Sequence, residues 1–188
     1  MPAQAAYAQI SARTGEPRRP VTVWLVLLFS FASIACLFAS LLYGFWVGAE
    51  RFNEASLLTE LIPTYLGSGW RVLLAVALTV IGLLPSIAAA ISGYYVFAGY
   101  RWARVAAIIT FVVSGLGVLL NIFAYPAIAL SLAAAVLAWV PPTTRYVASW
   151  HLLRHHEPTF SPPVSNVYYG PLARYLDPQP DHSNPRHA

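Results

Sequence analysis

The sequence predicts an all-α membrane protein: four transmembrane helices in an antiparallel bundle, with a short outer interfacial helix and a cytoplasmic amphipathic helix. Three observations predict it. Of 188 residues, 58% are hydrophobic and only 10% are charged. Ordinary soluble domains carry about 25% charged residues, so this chain has too few charges to clothe a water-facing surface. Four apolar segments approach or exceed the roughly 20 helical residues needed to cross a hydrocarbon core about 30 Å thick. The ionisable side chains fall at the ends of these segments and in the loops between them. The same arithmetic excludes a soluble enzyme and a disordered chain, and the lone cysteine, Cys36, excludes a disulfide-stapled domain.

Residues 1–20 read as a flexible cytoplasmic tail ending in Arg18 and Arg19, followed by span one over about 21–47. Arg18, Arg19 and the Ile34-Ala35-Cys36 sequence suggest a leader with a lipoprotein cleavage box. The apolar run continues well past Cys36, however, which predicts an uncleaved span. The outer loop is 48–69, where Asn53 is placed to cap a short helix with Glu54 in its first turn. Leu57, Leu58, Leu61 and Ile62 share one face of that helix, as in an interfacial helix; a gating lid would carry the same pattern. Span two covers about 70–98, with Pro85 at its middle. Proline removes a backbone hydrogen bond, predicting a kink and a freed carbonyl satisfied by Ser86 or a neighbouring helix.

Spans three and four cover about 105–124 and 126–141. The short connections Gly99–Arg104 and Phe123–Pro126 make spans two to four successive antiparallel neighbours. Tyr146, Trp150 and Leu153 follow i, i+4, i+7 spacing within 143–157, predicting a helix along the cytoplasmic surface with Arg145, Arg154 and the histidines toward water or headgroups. The Pro-rich tail 158–188 is irregular by composition, yet Tyr168, Tyr169, Leu172 and Tyr175 form a candidate docking segment.

All eleven basic residues are arginine. Arg13, Arg18, Arg19, Arg101, Arg104, Arg145 and Arg154 fall on one side of the spans; Arg51 and Arg71 fall on the other, among Glu50, Glu54 and Glu60. The positive-inside rule therefore places the chain in the cell (inner) membrane with both termini cytoplasmic. Trp24, Trp102 and Trp139 at inner ends, and Trp46 and Trp70 at outer ends, agree with a headgroup-level belt. The arginines are too dispersed for nucleic acid.

Lipid is as apolar as leucine, so spans associate through small residues. Ala32, Cys36, Ser40 and Gly44 form such a stripe on span one, as do Gly82, Ser86 and Ala90, then Ala106, Thr110 and Ser114, then Ala127, Ser131 and Ala135. They serve either an intramolecular bundle or, for span one, a partner or a second copy of the chain. No ionisable group lies between Val21 and Trp46, Val72 and Tyr100, Val105 and Tyr125, or Pro126 and Thr144, which argues against a proton relay or an ion-coupled carrier. All five histidines are C-terminal, which argues against intramembrane haem. His151 and His155 lack an HExxH glutamate and a third ligand and read as a polar face. Asn121 reads as interhelical polar glue. Arg101, Trp102 and Arg104 read as a contact for anionic lipid or a topogenic anchor. With no nucleotide, CxxC or GxSxG motif present, neither catalysis nor a cofactor is expected.

Gly99, Arg101, Trp102, Ala103 and Arg104 before span three, and Trp139, Pro141, Arg145 and Tyr146 after span four, form a pattern. It resembles the second half of small four-span membrane proteins of high-GC Gram-positive bacteria. The resemblance implies the four-span architecture and carries no activity. A bundle without buried charge and a tail with aromatic anchors predict a non-enzymatic accessory or scaffolding subunit of a larger inner-membrane complex. Its partners would be membrane lipids and other membrane-protein subunits, or a second copy of itself. The alternative is a small oligomeric transporter or channel for a neutral or lipid-like solute.

Overall fold

Helix α1 runs unbroken over Val21–Glu50 in the computed structural model, which describes residues 11 and 16–155. Its 30 residues contain no proline and reach about 45 Å at 1.5 Å per residue. Pro20, extended at φ −69° and ψ 157°, precedes it without costing a hydrogen bond, because the first-turn amides have no partner.

After a 3-10 turn at Phe52–Glu54, α2 spans Leu57–Leu61. Ser56, not the expected Asn53, caps it. Ser56 Oγ accepts from Thr59 N at 3.2 Å, and Thr59 Oγ1 accepts from Ser56 N at 3.1 Å. Ser56 has the extended backbone that a cap requires, whereas Asn53 lies inside the 3-10 turn and pins the loop by accepting from Thr64 N at 3.1 Å. Thr59 faces inward, and Leu57, Leu61 and Ile62 are exposed.

Helix α3, Gly69–Phe97, begins at Ser68 and carries Pro85 buried within it. The carbonyl that proline frees belongs to Ile81, but Ser86 Oγ donates to Gly82 O at 2.8 Å, because a serine reaches back four residues and not five. Helix α4, Ala103–Ser114, is shorter than expected: Gly115 and Gly117 weaken the α-helix, and the chain continues as a 3-10 turn over Gly115–Leu119. The hairpin turn then falls at Leu120–Asn121 and not at Phe123–Pro126. Asn121 is extended and its Oδ1 accepts from Phe123 N at 3.2 Å, while Pro126 sits in the first turn of α5, Tyr125–Trp139, where its missing N–H costs nothing. Val21–Glu50, Gly69–Phe97 and Ile122–Trp139 are long and apolar enough to cross a membrane; Ala103–Leu119 is apolar but shorter.

Helices α1, α3, α4 and α5 form a square in which α1 and α4 each pack between α3 and α5. Neighbours are antiparallel. Gly82 meets Leu41 and Gly93 meets Ser30 between α3 and α1, and Ser33 Oγ of α1 donates to Ala127 O of α5 at 3.1 Å. The core has one layer around Val26, Val96, Ala107 and Ala135, and another around Leu37, Leu41, Leu120 and Ala127.

Val140 is extended, and Pro141 and Pro142 then open α6, Pro141–Arg154. Of the expected apolar face, Tyr146 is fully buried and Trp150 half-buried against the same cluster, while Leu153 is exposed; Thr143 and Val147 are fully buried in its place. Tyr146 Oη donates to Phe97 O at 2.7 Å, and Thr143 Oγ1 donates to Thr22 Oγ1 at 2.8 Å. Protein rather than headgroup receives this face, so α6 closes the end of the bundle where α1 starts and α3 finishes.

Candidate functional site

At the opposite end, α1 presents Ser40, Gly44 and Gly48 to α3 and the loop, where side chains are too small to fill the space. A cavity of about 230 Å³ results, lined also by Ala75, Leu78 and Asn121. A Cβ at Gly44 or Gly48 would meet nothing closer than 3.6 Å, so the space is a property of the site and not a crowded contact. Ser40 Oγ donates to Asn121 Oδ1 at 2.8 Å, and Asn121 Nδ2 donates to Ser40 O at 2.9 Å. Leu57 N donates to Leu120 O at 2.9 Å and ties the loop across the hairpin turn.

A second space of about 400 Å³ shares Ala49 and Phe52 with the first and is bordered by Glu50, Arg51, Glu54, Thr64 and Arg71. Arg71 Nη2 donates to Gly48 O at 3.3 Å, and its guanidinium lies 4.6 Å from the Phe52 ring centre. Arg51 pairs with Glu54 at 3.4 Å, both largely exposed. The arrangement is an apolar slot with a polar mouth. Its hydroxyl and amide groups, Ser40 and Asn121, already bond one another. The sequence signal for it was Gly44 and Gly48 at helical spacing facing a polar Asn121; Arg71 gave no advance sign of its role.

At the α6 end, Arg101 and Trp102 are exposed, with Trp102 4.7 Å from the Tyr95 ring. Arg104 Nη1 donates to Thr144 Oγ1 at 3.3 Å and its guanidinium lies 5.1 Å from the Trp139 ring. Arg154 is exposed as expected, and it also donates to the carbonyls of Ala98 and Gly99 and stacks 4.1 Å from Tyr100, clamping the α3–α4 turn. The His151 and His155 rings stack at 4.2 Å. Burial lowers the His151 pKa, and His155 and Arg101 act in the same direction.

Along the small-residue stripe, Ser40 is buried, while Ala32, Cys36 and Gly44 are half-buried and Cys36 packs on the core layer around Leu37 and Leu41. Ser33, which the stripe omitted, carries the α1–α5 hydrogen bond. Tyr168, Tyr169, Leu172 and Tyr175 lie outside the described residues. Comparisons with protein-family profiles, with characterised proteins and with solved structures found no match.

Proposed function

We propose that the chain is a non-enzymatic, four-span protein of the cell membrane that serves as an accessory or scaffolding subunit of a larger membrane complex. The apolar outer surface of α1, α3, α4 and α5 carries this reading: Phe31 and Leu42 on α1, Val76 and Ile87 on α3, Ile109 and Val112 on α4, and Val136 on α5 are exposed. For the fourth span, Ala103–Leu119 supports the reading by geometry. Its α-helical and 3-10 parts, at 1.5 and about 2.0 Å per residue, together rise about 28 Å, close to the hydrocarbon thickness. Arginine placement favours cytoplasmic termini. A bundle that is capped by α6 and lacks ionisable groups in its core suits a structural role better than transport of charge.

Native electrophoresis after mild-detergent extraction tests the role: the chain should migrate with co-purifying membrane proteins, and migration only as a free monomer overturns it. Orientation is tested separately by labelling Leu66→Cys and Leu152→Cys in a Cys36→Ser background, both positions being exposed. The two should react from opposite sides of sealed vesicles.

The cavity beside α1 favours a second reading, a small oligomeric transporter or channel for a neutral or lipid-like solute. Leu37 is fully buried in the layer beneath the cavity, so transport requires α3 to move about Pro85. Solute flux into proteoliposomes that falls in Pro85→Ala supports it.

A further inference from the structure

The apolar slot and the polar space at its mouth share two walls, Ala49 and Phe52, and differ sharply in chemistry. We propose that together they hold one phospholipid with a phosphoethanolamine headgroup, one acyl chain lying between α1 and α3 and the headgroup at Arg71, Arg51, Glu50 and Glu54. The inference rests on the multi-pass membrane reading and on neither the accessory nor the transport role.

Size sets the division of labour. The slot, about 230 Å³, exceeds the roughly 150 Å³ that encloses a benzene ring and falls short of the roughly 300–1,000 Å³ of pockets that enclose whole ligands. It admits a stretch of one hydrocarbon chain while the rest of the lipid stays in the bilayer. Depth agrees. Trp46 and Trp70 are 81% and 68% exposed; one lies just before Gly48 and the other adjoins Arg71, marking this junction as headgroup level.

Charge selects the headgroup. Two guanidinium groups and two carboxylates border the polar space, so their charges cancel in sum while remaining separate in position. That pattern matches a phosphate joined to an ammonium better than a net-anionic headgroup. Arg71 has five N–H donors and gives one to Gly48 O; among the described residues no carboxylate lies within ion-pair distance of it. Its remaining donors suit bidentate binding of phosphate. Arg51–Glu54 is an exposed pair of little net strength, so Glu54 can turn to a primary ammonium. A quaternary ammonium has no N–H to donate to either carboxylate.

The test uses the full chain in mild detergent, offered equal amounts of phosphatidylethanolamine, phosphatidylcholine and phosphatidylglycerol of matched acyl chains, with bound lipid counted by native mass spectrometry. One phosphatidylethanolamine per chain is expected, preferred about tenfold over the other two, a ratio that corresponds to about 1.4 kcal/mol. Gly48→Leu and Ala75→Leu fill the slot from different helices and should each cut retention severalfold, with circular dichroism reporting on the fold. Arg71→Gln should abolish the headgroup preference, and Arg71→Lys should keep part of it. Equal retention of all three lipids, or retention indifferent to every variant, overturns the proposal. Displacement by water-soluble glycerophosphoethanolamine also overturns it, by placing the ligand in water. Release of the chain from membranes by alkaline carbonate would overturn the membrane reading itself, a failure distinct from loss of lipid selectivity.

Discussion

Ser40 and Asn121 exchange two hydrogen bonds, hydroxyl to amide oxygen at 2.8 Å and amide nitrogen to main-chain carbonyl at 2.9 Å, joining α1 to the turn that precedes α5. The same amide oxygen also caps Phe123 N. Membrane-embedded interhelical hydrogen bonds average about 0.6 kcal/mol each. Asn121→Ala removes both bonds and the cap and strands the buried Ser40 hydroxyl, for a loss of about 1–3 kcal/mol. Ser40→Ala removes one bond and should cost less. Reversible unfolding in mixed micelles measures both, and the reverse order would disprove the linkage.

Two glycines mark where α1 and α3 touch. A Cβ on Gly93 would sit 2.8 Å from Ser30 Cβ, which is fixed to its backbone, so Gly93→Ala must part the helices. Overpacking of this kind costs about 1–3 kcal/mol. Gly69 and Gly115 meet nothing within 4 Å, so alanine there should be neutral or mildly stabilising. Thermal unfolding in detergent separates the two classes.

Arg154 and Trp150 hold the α3–α4 turn from α6. Gly99 adopts φ +76°, and a Cβ there would overlap the Trp150 ring, so Gly99→Ala is excluded by both backbone and neighbour. Arg154→Gln loses the donors to Ala98 and Gly99 and should expose the turn. Limited trypsin digestion should then cut after Arg101 several times faster than in the parent chain. An unchanged rate would show that Trp150 suffices.

Acid should loosen the end of α6. The His151 pKa lies below its ordinary 6.5, through burial first and then the charges of His155 and Arg101. The unfolded segment therefore binds the proton more readily. The stability linked to this group is complete above pH 6.5 and is lost as pH falls through the folded value. Relative to the intrinsic base-catalysed rate, which itself falls on acidification, hydrogen exchange at residues 151–155 should quicken between about pH 7.5 and about pH 5, and His151→Gln should remove that difference. Equal quickening in the variant would assign the effect elsewhere.

The bundle was legible where apolar length alone decides, as in Val21–Glu50 and Gly69–Phe97. The hairpin turn was misplaced because Pro126 looks like a break, when a proline in the first helical turn is a start signal. Helix α6 was read as a surface helix for a related reason: Tyr146 and Trp150 suit a headgroup layer or a protein neighbour equally well, and spacing cannot tell which is present. The slot beside α1 was half visible, since Gly44 and Asn121 drew notice, but Arg71 over Phe52 joins residues distant in the chain.

By itself the sequence determined which segments avoid water and where their charged ends lie, because transfer of charge into hydrocarbon is costly wherever the helix points. Tertiary structure decided which face of each helix looks inward. Lipid is as apolar as a packed leucine, so apolar periodicity carries little record of that rotation. The choice of Ser33 as a contact residue came from the fit of neighbouring helices, and the slot between Gly48 and Leu78 is what that fit leaves unfilled.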